Sequence, residues 1–159
     1  MENLDIIDKK ILNALQRGDL TVPKITEIAK ILDLPPATVH TRVKKLQENK
    51  IIEGYPAIVN SNKVGKDLTI FLILKVVYSK HYSGSQPIKD FAKNLAKIPE
   101  VLEIHNCSGD WDYFIKLKVK DTEDYHRIIT YEVLPLGGIE KAESVVVYQT
   151  LKETRSLIV

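Results

Sequence analysis

The sequence predicts an α+β fold in two parts: an N-terminal helix-turn-helix, then a C-terminal βαββαβ sandwich of the ferredoxin-like type. Three observations predict it. Apolar residues recur at helical spacing in three short runs before residue 50, with a proline-marked turn before the third. Alternating, valine- and isoleucine-rich runs begin only after residue 67. Those runs interleave with two helical stretches in the order strand, helix, strand, strand, helix, strand.

Taking the elements in order, Ile7, Ile11, Leu12 and Leu15 share one helical face. Asp5 is placed to cap that helix, and Asp8 puts negative charge in its opening turns. Arg17-Gly18-Asp19 ends it. Ile25, Ile28, Ala29 and Leu32 mark a second helix, with Thr21 as the expected N-cap and Pro23 in an early position. Asp33-Leu34-Pro35 is a tight turn. Pro36 opens the third helix, where a missing N–H costs nothing, and Asn49 is the expected left-handed stop. On this third helix Val39, Val43 and Leu46 form the buried face. Thr38, His40, Thr41, Arg42, Lys44 and Lys45 lie on the remainder, suited to base edges and phosphates.

Such a helix, buried on one side and cationic on the other, fits a major groove. The residues alone leave a second reading open: a helical interaction module with a solvated basic face. Lys44, Lys45 and His40 are then surface residues, and Arg42 braces the fold. Thr38 and Thr41, nearest the helix start, are the stronger candidates for base contact.

Residues 1–52 form the first unit on this reading. Residues 53–67 form a linker with a short strand, residues 68–151 the second unit, and residues 152–159 a tail. Leu68–Tyr78 is apolar on both faces for much of its length. An antiparallel strand covered by helices on one side needs only one apolar face, so a second copy of the chain is the economical cover for the other. Pro87–Ala96 is helical through Ile88, Phe91, Ala92 and Leu95. Val101–Ser108 and Asp112–Lys120 are strands around the turn Gly109-Asp110-Trp111. Asp121 or Thr122 caps a helix carrying Tyr125, Ile128, Ile129 and Val133, Pro135–Gly138 breaks it, and Ala142–Leu151 is the last strand.

Composition narrows the function. The net charge is only +2, so nucleic-acid affinity has to come from local clustering. Arg42, Lys44 and Lys45, with no acid between Thr38 and Gln47, supply such a cluster. No apolar run reaches the roughly 18 residues of a membrane helix. The start has neither a basic nor an apolar signal region, and Cys107 is the single cysteine. The expected location is the cytoplasm. His40, His81, His105 and His126 are scattered, and no phosphate-loop, HExxH or GxSxG pattern is present. His105 and Cys107, two apart on one strand, read as packing. No enzyme activity, cofactor or metal is expected.

The two halves together resemble the leucine-responsive/AsnC (feast/famine) regulators. The resemblance rests on Leu4–Leu12, Glu27-Ile28-Ala29, Thr38–Leu46 and Ile51–Tyr55, and on Ser108-Gly109-Asp110-Trp111-Asp112-Tyr113. It implies a sequence-specific regulator of transcription that binds a palindromic operator. It implies dimers built through the second domain (a RAM-type domain), with tetramers or octamers beyond. It also implies an amino-acid effector at the turn of Ser108, Gly109, Asp110 and Asp112. Glycine there lets backbone approach a ligand, and a carboxylate suits an α-ammonium group. A plain hairpin turn, with Asp112 bonding backbone, is the alternative. Three positions depart from the family pattern: Asp33 and Lys50 replace glycine, and Pro35 replaces a capping serine. Asp19–Lys24 is also slightly long, and Ser108 replaces a commoner threonine. A small-molecule sensor without DNA binding, or an architectural protein of weak specificity, are the competing functions.

Overall fold

A computed structural model describes residues 4–16, 24–77 and 87–157. The chain divides into two compact units. Met1–Ile58 with Lys152–Val159 make the first, and Val59–Leu151 the second.

The first unit holds three helices: α1 (Ile6–Leu15), α2 (Ile25–Leu32) and α3 (Pro36–Glu48). Asp5 caps α1 in a reciprocal box. Its carboxylate accepts from the Asp8 N–H at 2.8 Å, and the Asp8 carboxylate accepts from the Asp5 N–H at 3.4 Å. Helix α2 starts behind Lys24, which gives no side-chain cap. The N-cap is thus Lys24 and not the expected Thr21, and Pro23 precedes the helix; both residues, like the stop at Arg17–Asp19, lie outside the described residues. Helix α3 starts at Pro36 without a side-chain cap from Pro35. Ile11, Leu12, Ala14, Ile28, Ala29, Val39, Val43 and Leu46 close over one another as the core.

Both α2 and α3 end in a left-handed residue. After α2 it is Asp33 (φ 53°), and the Leu34 N–H reaches back to the Ala29 carbonyl at 2.9 Å. After α3 it is Lys50 (φ 55°), not the expected Asn49, which keeps φ −81°. The reason is the hydrogen-bond frame. The Lys50 N–H bonds to the Gln47 carbonyl and the Ile51 N–H to the Leu46 carbonyl, both at 2.9 Å, which places the left-handed position at residue 50. The short strand expected between residues 53 and 67 does not form. Among the described residues, 53–60 have no partner strand, and Ser61–Val64 is a 3₁₀ turn capped by Asn60.

The second unit is a four-stranded antiparallel sheet of β1 (Leu68–Val76), β2 (Val101–Asn106), β3 (Tyr113–Val119) and β4 (Ile139–Val146), in the order β2-β3-β1-β4. Helices α4 (Pro87–Leu95) and α5 (Thr122–Ile128) cover one face. Ile70, Leu72, Leu74, Tyr113, Ile115 and Leu117 point to that side and meet Phe91, Leu95, Ile128 and Val133. Asp121 caps α5 by accepting from the Asp124 N–H at 2.8 Å. A single π turn, Ile129–Val133, follows α5. It brings Ile128 and Val133, five residues apart, to the same core.

Strand β4 lies earlier than expected. Ile139 pairs with Val76 and Val146 with Ile70, and the Val147 N–H reaches the Thr69 carbonyl at 3.0 Å. β1 begins only two residues before Ile70, at Leu68, so β4 runs out of partner soon after Val146.

On the opposite sheet face Phe71, Ile73, Phe114 and Val145 are neighbours in register. Phe71, Phe114 and Val145 are 36%, 38% and 42% exposed. Charged residues border them: Glu103 lies 3.4 Å from both Lys116 and His105.

Candidate functional site

Helix α3 turns Val39, Val43 and Leu46 into the core, because they recur four and three residues apart. His40, Thr41, Lys44 and Lys45 are exposed on the other side, with Pro36 and Ala37 at the helix start, while Thr38 and Arg42 are half-buried at its edge. Thr41 sits at the middle of the open face. Its hydroxyl donates to the Ala37 carbonyl at 3.0 Å, so the side chain turns a methyl group and oxygen lone pairs outward. Lys44 lies 3.7 Å from Glu48, an exposed pair that a phosphate can outcompete.

Arg42 differs from its neighbours. Its Nη1 donates to Asp5 at 2.5 Å and to Asp8 at 2.9 Å. The Asp8 and then the Asp5 hydrogen bond raise the guanidinium pKa above its ordinary value. In turn, the Asp8 N–H and then Arg42 hold the Asp5 carboxyl below the usual carboxylate range. Arg42 therefore clamps α3 to the capped start of α1. Sequence reasoning placed Arg42 beside Lys44 and Lys45. The acidic pair thirty-four and thirty-seven residues earlier was visible only as a cap. Ala37 was overlooked as a surface residue. Its signal was its place one turn before Thr41.

The Ser108–Asp112 turn joins β2 to β3. Gly109 has φ 109°, a conformation side chains resist, although open space surrounds it. Asp112 is bonded on three sides. Its carboxylate accepts from the Val76 N–H at 2.7 Å, its own N–H donates to the Leu74 carbonyl at 2.9 Å, and its carbonyl accepts from the Cys107 N–H at 2.8 Å. These bonds tie the turn to the end of β1. Lys141 of β4 lies over the Trp111 ring at 4.6 Å from its centre and ties the turn to that edge strand. Ser108 and Asp110 remain exposed. The structure thus brings the turn residues together but gives them unequal work: Asp112 shapes the turn, and Asp110 offers an open carboxylate.

Among the described residues, no group of three or more potential metal ligands occurs, and no helix is long and apolar enough to cross a membrane.

Comparison with known proteins assigns each half. The model of the Lrp/AsnC ligand binding domain matches residues 73–157, and a winged helix-turn-helix DNA-binding model matches residues 4–53. The chain belongs to the Lrp/AsnC family. It is 34% identical over 154 residues to the HTH-type transcriptional regulator FL11 of Pyrococcus horikoshii, covering 97% of this chain and 95% of that one. It is 32% identical over 157 residues to the leucine-responsive regulatory protein of Haemophilus influenzae, covering 98% and 90%. A transcriptional regulator of Neisseria meningitidis, solved as a complex with L-Met, superposes with a TM-score of 0.86 at 26% identity, covering 98% and 96%. The AsnC structure from E. coli, 23% identical over 96% of this chain and 97% of that one, shares the fold with a TM-score of 0.79. This Lrp/AsnC protein is a DNA-binding regulator of transcription whose second domain binds a small-molecule effector.

Proposed function

We propose that this Lrp/AsnC protein binds a palindromic operator as a dimer and is modulated by an amino acid. The observation that carries the DNA half is the open face of α3: exposed Thr41, Lys44 and Lys45 backed by buried Val39, Val43 and Leu46. Lys44 and Lys45 neutralise phosphates. Thr41, with Thr38, His40 and Ala37 around it and Pro36 at the helix start, meets base edges. Arg42 acts from behind, by holding the helix.

Dimers form through the sheet face of Phe71, Ile73, Phe114 and Val145, an apolar patch inside a charged border. A two-fold pair of sheets sets the separation of two α3 helices, and operator symmetry follows. Higher assemblies build on that dimer. The effector sits at Ser108–Asp112. Asp110 pairs with its ammonium group, and Gly109 and Ser108 supply close backbone and hydroxyl contacts. The Neisseria relative, solved with L-Met, supports an amino acid as the ligand class.

Selecting bound duplexes from a random pool tests the DNA reading. The expected result is a two-fold symmetric site whose preferred bases change in Thr41→Ala. Binding with no base preference would favour the architectural reading instead. For the effector, thermal shifts with each of the twenty amino acids should show one stabilising ligand, and Asp110→Ala should lose its effect. A flat response throughout would place the ligand outside the amino acids.

A further inference from the structure

The chain enters the first unit twice. Met1–Ile58 build it, the chain passes into the second unit at Val59, and Lys152–Val159 return to it after β4. The return is held by a specific contact. The Gln16 side-chain amide pairs with the backbone of Leu157: Nε2 donates to the Leu157 carbonyl at 2.9 Å, and the Leu157 N–H donates to Oε1 at 2.5 Å. Beside it the Ser156 hydroxyl donates to the Gln16 carbonyl at 3.2 Å. Gln16 is the C-cap of α1, so its carbonyl is one that the helix itself leaves without a donor. Thr154 turns the segment into place by accepting from the Ser156 N–H at 3.0 Å.

We propose that the C-terminal segment is a strap, and that Gln16 is the positioning residue that fastens it to the DNA-reading unit. A unit joined to its neighbour at one point of the chain is freer to reorient than one joined at two. A second attachment at the end of α1 removes much of that freedom. Freedom lost before binding is not charged to binding, so the strap favours one half-site spacing over its neighbours. This use of the strap rests on the paired reading of DNA proposed above. The contact itself does not.

The experiment uses the full chain, Gln16→Ala, and a chain ending at Leu151. The DNA probe is the best duplex selected by the full chain, and the same duplex with its half-sites moved apart by about five base pairs, half a helical turn. Hydrogen exchange without DNA reads the contact. The Leu157 amide should be protected in the full chain and lose that protection, by about tenfold or more, in Gln16→Ala. The full chain should lose about tenfold or more in affinity on the spaced probe, and both altered chains about threefold or less. The salt dependence should stay the same in all three, because no phosphate contact has been removed.

Gln16→Ala removes two of the three bonds without shortening the chain, so it decides the matter if the truncated chain fails to fold. An unprotected Leu157 amide in the full chain would overturn the strap. So would unchanged spacing discrimination in Gln16→Ala. A full chain that binds one half-site as tightly as two would instead overturn the paired reading, with the exchange result still judging the contact.

Discussion

The two units solve the same turn problem differently. In the second unit the described positive-φ positions, Gly65, Gly109, Gly137 and Gly138, are all glycine. In the first they are Asp33 and Lys50, each at the end of a helix that packs in the DNA-reading core. An L side chain there costs roughly 1–2 kcal/mol, less for Asp. The cores differ as well. Phe91, Tyr113 and a row of buried isoleucines and leucines fill the second, whereas the first relies on smaller residues around Ile11 and Ile28. The first unit adds polar fastenings of its own: the Asp5–Asp8 box, the Arg42 clamp and the bonds of Gln16 to the C-terminal segment. The DNA reader is the softer half because its apolar core is smaller; charge and caps serve both halves, for in the second Arg127 bridges Asp124 and Glu132, and Lys66 lies 3.3 Å from Glu100.

Core truncation breaks the comparison hardest. Ile28→Ala and Leu72→Ala each remove a fully buried side chain, and each should cost about 2–5 kcal/mol. In the first unit that loss should unfold the helices near room temperature and abolish DNA binding while the sheet still melts cooperatively. In the second it should lower the melting temperature of the sheet and leave a folded protein at 25 °C. Circular dichroism melts with DNA titrations check both. Equal damage from the two changes would erase the contrast.

The next test separates clamp from reader. Lys45→Ala should reduce the slope of log affinity against log salt by about 1, whatever the DNA sequence. Arg42→Ala should instead lower the melting temperature of the first unit and weaken binding with the slope unchanged. A reduced slope for Arg42→Ala would make it a phosphate contact in its own right.

Smaller effects sharpen the same picture. Lys50→Gly should stabilise the first unit by about 1 kcal/mol, measured by urea unfolding, and Asp33→Gly by less. Gly65→Ala in the second unit should destabilise, because φ is 71° there. Acid acts in the direction set by the caps. Asp5 has its pKa lowered from 3.8 by the Asp8 N–H and then by Arg42. Its stabilisation is therefore complete above about pH 4 and is lost as pH falls through the lowered value. Asp5→Asn should flatten that acid limb for the first unit only. The caps of the second unit, Asp121 and Asp124, are lowered by backbone hydrogen bonds from Asp124 and Lys120 and keep their own limb.

Much of the fold was legible because it follows from local rules. The spacing of Val39, Val43 and Leu46 orients α3, and alternation from Tyr113 to Val119 orients β3. What escaped depends on partners distant in sequence. That Arg42 braces the fold was one of its two readings; that its partners are Asp5 and Asp8 was not legible. Lys50 takes the left-handed position because the bonds from residues 50 and 51 to α3 fix it there, whereas residue type favours Asn49. The strand after Ile139 stops at Val146, close to where β1 begins at Leu68, a limit set by a partner strand far earlier in the chain. At the effector turn, the residue types were legible. That Asp112 spends its carboxylate on the Val76 N–H was not.

In the proposed complex α3 presents Thr41, Lys44 and Lys45 to a duplex in two-fold related copies. Footprinting of the full chain on its best selected duplex tests it most directly. Two protected half-sites related by a dyad are expected, centred one helical turn or a multiple of it apart, about 10–10.5 base pairs per turn. Protection of a single asymmetric stretch, unchanged when Lys44 and Lys45 are both replaced by alanine, would contradict it.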